Sequence, residues 1–101
     1  MIKVTYSIDD DHYTYLSCKG HAFSDEPGKD LICASVSSIM FGLMNALDET
    51  KLDVEIKELN NHIEIINKTK KELIDNYLEL TLIQLKTIEE SYGEFIKVER
   101  K

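Results

Sequence analysis

A cysteine and a histidine in the first third of the sequence could form a catalytic pair. Asp30 precedes the apolar stretch that contains Cys33, and its carboxylate can accept the backbone amide of Cys33 and so cap a helix. A thiol in the first turn of a helix lies near unsatisfied amides and the positive end of the helix dipole, which favour the nucleophilic thiolate. His21, twelve positions earlier, can fold back across the intervening loop and act as the base. This is the pairing that an activated cysteine nucleophile requires.

Two other interpretations of these residues remain open. Cysteine often behaves as a small buried hydrophobe, and Cys18 lies in a β-rich run where we expect it to fill the core. A zinc site could be built from Cys18, His21 and Cys33, with His12 as a distant fourth ligand. The chain has no Cys-x-x-Cys pair, however, and the spacing matches no common zinc finger. We therefore expect neither a metal nor another cofactor.

Three neighbouring residues are expected to support the pair. Gly20 either supplies a backbone conformation that other residues avoid or lets a substrate approach closely. Asp30 is expected to cap the helix first, and it could also orient His21. Ser37 lies one turn after Cys33 on the same helix face, where its hydroxyl either borders the substrate or bonds back to the Cys33 carbonyl.

Apolar patterns predict the elements that position these residues. Alternation over residues 2–8 and 13–19, with turn-forming residues between them, predicts a β-hairpin. A helix is predicted from residue 31 to about residue 49, with apolar character around much of its circumference. A second hairpin is predicted over residues 52–65, with its turn at residues 60–61.

The rest of the chain predicts one more helix and one more strand. Helical spacing runs from about residue 70 to residue 91, Gly93 ends the helix, and residues 95–98 could form a strand. The order β-β-α-β-β-α-β is typical of an α+β fold, and we expect a mixed sheet with two helices packed on it. Because 101 residues are enough for one core, residues 1–101 are expected to form a single domain.

Charge and hydropathy limit the partners that the chain can have. Nineteen acidic and twelve basic residues give a net charge of −7, which disfavours direct nucleic-acid binding and would attract a basic protein. The N-terminus lacks the apolar run of a signal peptide, and no stretch approaches the roughly eighteen apolar residues of a membrane-spanning helix. We therefore expect a cytoplasmic protein with no membrane partner, whose two cysteines are reduced thiols.

The sequence around the pair resembles the signature of the Prp (YsxB-like) ribosomal-processing cysteine proteases. The matching residues are Gly20-His21-Ala22 and, after a loop, Asp30-Leu31-Ile32-Cys33-Ala34-Ser35-Val36-Ser37. The resemblance implies an endopeptidase that removes a short N-terminal extension from a large-subunit ribosomal protein, with His21 and Cys33 as its catalytic dyad. It also implies a homodimer and a mobile loop, here Phe23 to Lys29, over the active site. Ser35 departs from the alanine or glycine more usual at its position, which leaves the dyad untouched.

A function from a different class also fits the composition. A non-enzymatic, dimeric ribosome-assembly factor could hold a basic ribosomal protein on the acidic surface of this chain. Alkylation of the thiols distinguishes the two functions, because it would abolish proteolysis and spare mere binding.

Overall fold

The computed structural model describes residues 1–20 and 30–101. These residues form β1 (Ile2–Asp9), β2 (His12–Lys19), α1 (Leu31–Thr50), β3 (Val54–Leu59), β4 (His62–Asn67), α2 (Glu72–Tyr92) and β5 (Ile96–Arg100). The predicted order β-β-α-β-β-α-β and the predicted α+β class are both confirmed.

The described strands form one mixed sheet in the order β3-β4-β2-β1-β5. β1 with β2, β2 with β4, and β3 with β4 are antiparallel, whereas β5 lies parallel to β1. Asp10 and Asp11 form the tight turn between β1 and β2, both with positive φ angles (52° and 63°). Aspartate tolerates this left-handed conformation better than most residues, so the turn forms where the sequence predicts it.

The two faces of the sheet differ in chemistry, because side chains alternate along each strand. Val4 lies opposite Cys18, which lies opposite Ile63, which in turn lies opposite Glu58. This row faces the two helices, since Val4 and Cys18 are buried in the core with residues from both helices. The other face carries polar residues and is not covered by α1 or α2. Glu58 therefore projects from the helix-covered face at the edge strand.

α1 is a core helix, although its length and composition alone would also allow it to span a membrane. The sequence-based expectation that no segment is apolar enough to span a membrane is therefore wrong. Serine and glycine interrupt the apolar run in α1, but the average hydropathy of the helix stays high. The buried residues of α1 are Ile32, Val36, Met40, Leu43, Met44 and Leu47. They join the same hydrophobic core as the sheet and α2, as the core helix of a folded domain does.

α2 is fixed to the β1–β2 hairpin through one carboxylate. Asp75 accepts the backbone amide of Tyr13 at 2.9 Å and pairs with His12 Nδ1 at 2.7 Å. The helix ends at Gly93, as predicted, but the φ of Gly93 is −60° and thus right-handed. The glycine is therefore not required there for a left-handed turn.

Candidate active site

Asp30 caps α1 and fixes the backbone that carries Cys33. Its carboxylate accepts the amides of Ile32 at 3.1 Å and Cys33 at 3.0 Å, which confirms the predicted cap. Cys33 lies in the first turn of a helix of 20 residues, where the amide dipoles add to a positive end. The helix dipole favours negative charge on this half-buried thiol, whereas the adjacent Asp30 carboxylate opposes it.

The cap also occupies the amides at the start of α1. Besides the two bonds to the Asp30 carboxylate, the amide of Ala34 donates to the Asp30 carbonyl at 3.1 Å. Amides at a helix start are the donors that would be expected to bind the oxyanion of a tetrahedral intermediate on Cys33. The amides of Ile32 and Cys33 can reach such an oxyanion only if the carboxylate of Asp30 moves away.

Cys33 borders a cleft of ≈ 220 Å³ between α1 and the end of the β3–β4 hairpin. The α1 wall consists of Cys33, Val36, Ser37, Met40 and Phe41. The hairpin wall consists of Glu58, Leu59, Asn61, His62 and Ile63. Ile2, Cys18 and Gly20 complete the lining. The cleft is therefore apolar along most of its described lining, with the candidate nucleophile in one wall.

Ser37 lies in the same wall as Cys33, one helical turn further on. Within the described residues its hydroxyl donates no hydrogen bond to the Cys33 carbonyl, so of its two predicted roles the position beside a substrate stays a prediction. The bond back along the helix is made instead by Ser35, whose hydroxyl donates to the Leu31 carbonyl at 2.7 Å. Ser35 is exposed, so the departure from alanine or glycine causes no steric conflict.

Gly20 holds a backbone conformation that other residues rarely adopt. Its φ is +100°, and a Cβ atom added there would lie 2.4 Å from the carbonyl oxygen of Met1. Its amide donates to the Asn61 carbonyl at 2.8 Å, which ties the end of β2 to the β3–β4 turn. Of its two predicted roles, the supply of a special backbone conformation is therefore supported.

His21 follows Gly20 directly in the chain but lies outside the described residues, as does the predicted loop from Phe23 to Lys29. The structure thus brings Gly20, Cys33 and Ser37 to one cleft and places Asp30 at the cap. The contact between His21 and Cys33 stays a prediction from the sequence.

Cys18 is a core residue, as predicted, and only 8% of it is exposed. Burial raises the pKa of its thiol to about 11, with a smaller contribution from electrostatic repulsion by the nearby Cys33. Cys18 therefore stays protonated at neutral pH. The two thiols of the chain differ in environment, and that of Cys33 is the one at a helix start.

His12 does not belong to the site. It lies at the opposite end of β2 from Cys18 and pairs with Asp75. Among the described residues no group of three or more histidine, cysteine or acidic side chains could hold a metal ion. His21, which belonged to the zinc set considered from the sequence, lies outside that part of the chain.

The sequence interpretation missed the hairpin wall of the cleft. Glu58 is two positions after Ile56 and four after Val54, so strand alternation already places its side chain on their face. His62 also borders the cleft, but its ring Nε2 lies 3.0 Å from the Ser17 hydroxyl. Ser17 pairs in register with Glu64 on the other face of the sheet, so the His62 ring is directed away from Cys33.

Comparison with known proteins identifies relatives of the whole chain. Residues 1–97 match the family model described as Cysteine protease Prp. The ribosomal processing cysteine protease Prp of Staphylococcus aureus is 33% identical over 109 aligned positions, which cover 100% of both chains. The protein of the same name from Mycoplasma pneumoniae is 35% identical over 103 aligned positions, covering 98% of this chain and 94% of that protein.

A solved structure of a relative shares the fold. The crystal structure of the S. aureus ribosomal processing protease Prp, in complex with a covalently linked product peptide, superposes with a TM-score of 0.93. It is 31% identical, and the match covers 100% of both chains. These findings confirm the resemblance that the sequence around Cys33 indicated.

Proposed function

The chain belongs to the cysteine protease Prp family and is a cysteine protease, and we propose that it removes a short N-terminal extension from a large-subunit ribosomal protein. One observation carries the assignment of the site. Cys33 lies in the capped first turn of α1 and borders a cleft that also contains Gly20, the residue immediately before His21.

The proposed reaction uses His21 and Cys33 as a dyad. His21 accepts the thiol proton, and the Cys33 sulfur attacks the scissile carbonyl carbon to give a tetrahedral intermediate. His21 then protonates the leaving amine as the peptide bond breaks and a thioester forms. Water hydrolyses the thioester, which releases the second product and restores the thiol. Each step is an acyl transfer that requires no metal and no other cofactor.

Asp30 and Ser37 are proposed as supporting residues. Asp30 holds the first turn of α1, so the direction of the Cys33 side chain depends on it. When the oxyanion forms, the Asp30 carboxylate has to release at least one amide if α1 is to donate to the oxyanion directly. Ser37 borders the cleft, where its hydroxyl is available to a peptide group of the substrate.

Charge supports a ribosomal protein as the substrate. A net charge of −7 speeds the encounter with a basic protein and opposes binding to RNA itself. The relatives that match the whole length of this chain are named ribosomal processing proteases. The protease is therefore proposed to act on the protein in the cytoplasm, with no nucleic acid and no membrane as a direct partner.

A homodimer is the proposed assembly. A groove of ≈ 400 Å³ lies between α1 and α2, on the side away from the sheet. Leu80, which lines the groove, and Ile83, three residues further along α2, are 56% and 54% exposed, which is high for large aliphatic side chains. Sedimentation equilibrium of the wild type and of Leu80→Lys tests this assembly. A monomer at all concentrations would contradict it.

Cleavage of the extended ribosomal protein from the same genome tests the proposed function. The wild type should shorten that protein from its N-terminus, and Cys33→Ala should bind it without cleaving it. His21→Ala should be nearly inactive. Cys18→Ala is the matched control, because it removes a thiol and leaves the proposed nucleophile in place. Mass spectrometry of the products identifies the bond that is cut.

Two results would contradict the proposal. Cleavage by Cys33→Ala would remove Cys33 from the role of nucleophile. A wild-type enzyme that cleaves other peptides but leaves the extended ribosomal protein intact would exclude that substrate. The non-enzymatic assembly factor remains the alternative for a chain that binds the ribosomal protein and never cuts it, and no contact among the described residues specifically favours it.

A further inference from the structure

Glu58 is the acidic residue in the hairpin wall of the cleft. Val54, Ile56 and Glu58 are alternate residues of β3, so their side chains lie on the same face of the sheet. An apolar residue would be expected at the third of these positions. Its cross-strand partner Ile63 packs against the core, so Glu58 lies on the helix side of the sheet. A charged side chain thus projects into a lining that is otherwise mainly apolar.

No basic residue of the described chain neutralises Glu58. Lys57, beside it in the chain, and Lys68, which follows β4, both lie within 4 Å of Glu55 instead, at 3.8 Å and 3.6 Å. Among the described residues that line the cleft there is no lysine or arginine. The carboxylate therefore gives this part of the cleft a negative potential, and a cation from outside can neutralise it.

We propose that Glu58 determines specificity by binding a lysine or arginine side chain of the substrate, while Phe41 contacts an apolar side chain beside it. Phe41 borders the same cleft and is 47% exposed. An apolar surface next to a carboxylate suits a peptide in which apolar and basic residues are close neighbours. The inference rests on the proposed role of this cleft as the peptide-binding site.

The dimensions of the cleft limit where that basic residue lies in the substrate. Cys33 and Phe41 are eight residues apart on α1, which corresponds to about 12 Å along the helix axis. An extended peptide advances about 3.3 Å per residue, so the cleft accommodates about four substrate residues. The basic side chain therefore lies within about four residues of the scissile bond.

A library of peptides derived from a digested proteome tests the inference without assuming a ribosomal substrate. The cut sites of wild type, Glu58→Gln, Glu58→Lys and Cys33→Ala are read by mass spectrometry. Wild-type sites should be enriched in lysine and arginine at one position within four residues of the cut. Glu58→Gln should lose the enrichment, and Glu58→Lys should replace it with aspartate and glutamate. Glu90→Gln is the control, because Glu90 is exposed on α2 and outside the cleft.

Kinetics on two matched peptides, with lysine or glutamine at the enriched position, give the magnitude. The wild type should prefer lysine about three- to tenfold in kcat/KM, as expected for a partly exposed charge pair. Glu58→Gln should reduce the preference to about one with its melting temperature unchanged, and added salt should weaken the wild-type preference.

The outcomes separate this inference from the assignment of the site. Wild-type cleavage without any basic preference, or an unchanged preference in Glu58→Gln, would overturn the role of Glu58 and leave the nucleophile untouched. Cut sites that persist in Cys33→Ala would overturn the site itself, and the role of Glu58 with it. A peripheral charge that only keeps the edge strand soluble would change neither the cut sites nor the kinetics.

Discussion

Replacement of Gly20 by alanine should destabilise the protein far more than its chemistry suggests. The new Cβ would lie 2.4 Å from the Met1 carbonyl oxygen, a distance at which an atom has to shift. Met1 cannot yield easily, because the next amide, that of Ile2, donates to the Phe95 carbonyl at 2.8 Å. Gly20 itself is held by its bond to the Asn61 carbonyl. The substitution therefore strains two strands at once.

The expected loss of folding stability in Gly20→Ala has two components. A residue with a Cβ loses about 1–2 kcal/mol in a left-handed conformation, and relief of a backbone clash adds an amount of similar size. The sum is about 2–4 kcal/mol out of the roughly 5–15 kcal/mol that stabilise a domain of this kind. For a chain of 101 residues, this lowers the melting temperature by about 10–25 °C.

Urea unfolding and thermal melting of Gly20→Ala, next to wild type and Gly42→Ala, measure the effect. Gly42 lies inside α1 with no atom within 4 Å of an added Cβ, so alanine there should stabilise the protein by up to about 1 kcal/mol. Turnover of Gly20→Ala should fall by more than the unfolded fraction explains, because His21 follows the displaced residue. A Gly20→Ala protein within about 0.5 kcal/mol of wild type would refute the described backbone of Gly20.

Further predictions concern the thiols, the cap and the anchor of α2. Iodoacetamide at pH 7 should modify Cys18 at least about a hundredfold more slowly than Cys33, since a pKa of about 11 leaves roughly one Cys18 thiol in ten thousand ionised. Between pH 7 and pH 9, the rate at Cys18 should rise about tenfold per pH unit, and equal rates at both thiols would contradict this. Asp30→Ala should lose about 0.5–2 kcal/mol and keep partial activity, whereas a stable and fully inactive variant would make Asp30 part of the catalytic machinery. Asp75→Ala should lose about 1–3 kcal/mol in urea unfolding, with kcat near that of wild type, because its two bonds lie far from the cleft; a fall in kcat without a loss of stability would refute this.

Local patterns in the sequence predicted each element, because each element has its own local cause. Alternation of apolar residues predicted both hairpins, and the aspartates predicted the first turn. Asp30 predicted the start of α1 to within one residue. The sequence also predicted that Asp30 and Ser37 are neighbours of Cys33, since a helix places residues three and four apart on one face.

The features that the sequence did not predict depend on contacts between distant segments. Nothing local in residues 96–100 indicates that they lie parallel to β1 and not beside another strand. The hairpin wall of the cleft was missed for the same reason, because Glu58 meets α1 only through the tertiary fold. The sequence predicted the bond from the Cys33 amide to Asp30. The second bond, from the Ile32 amide, and the competition of Asp30 with an oxyanion for these amides became apparent only in the structure.

The parallel pairing of β1 with β5 has a consequence for the folding of the enzyme during its translation on the ribosome. Gly20 is positioned against Met1, and the amide next to Met1 bonds to Phe95, so the first and the last strand fix the residue before His21 together. A nascent chain that has not yet extended β5 already contains Cys33, its cap Asp30 and His21. It lacks the strand that completes the sheet and buries Ile2. Proteolytic activity is therefore expected to appear only after residues 96–100 have left the exit tunnel and β5 has paired with β1.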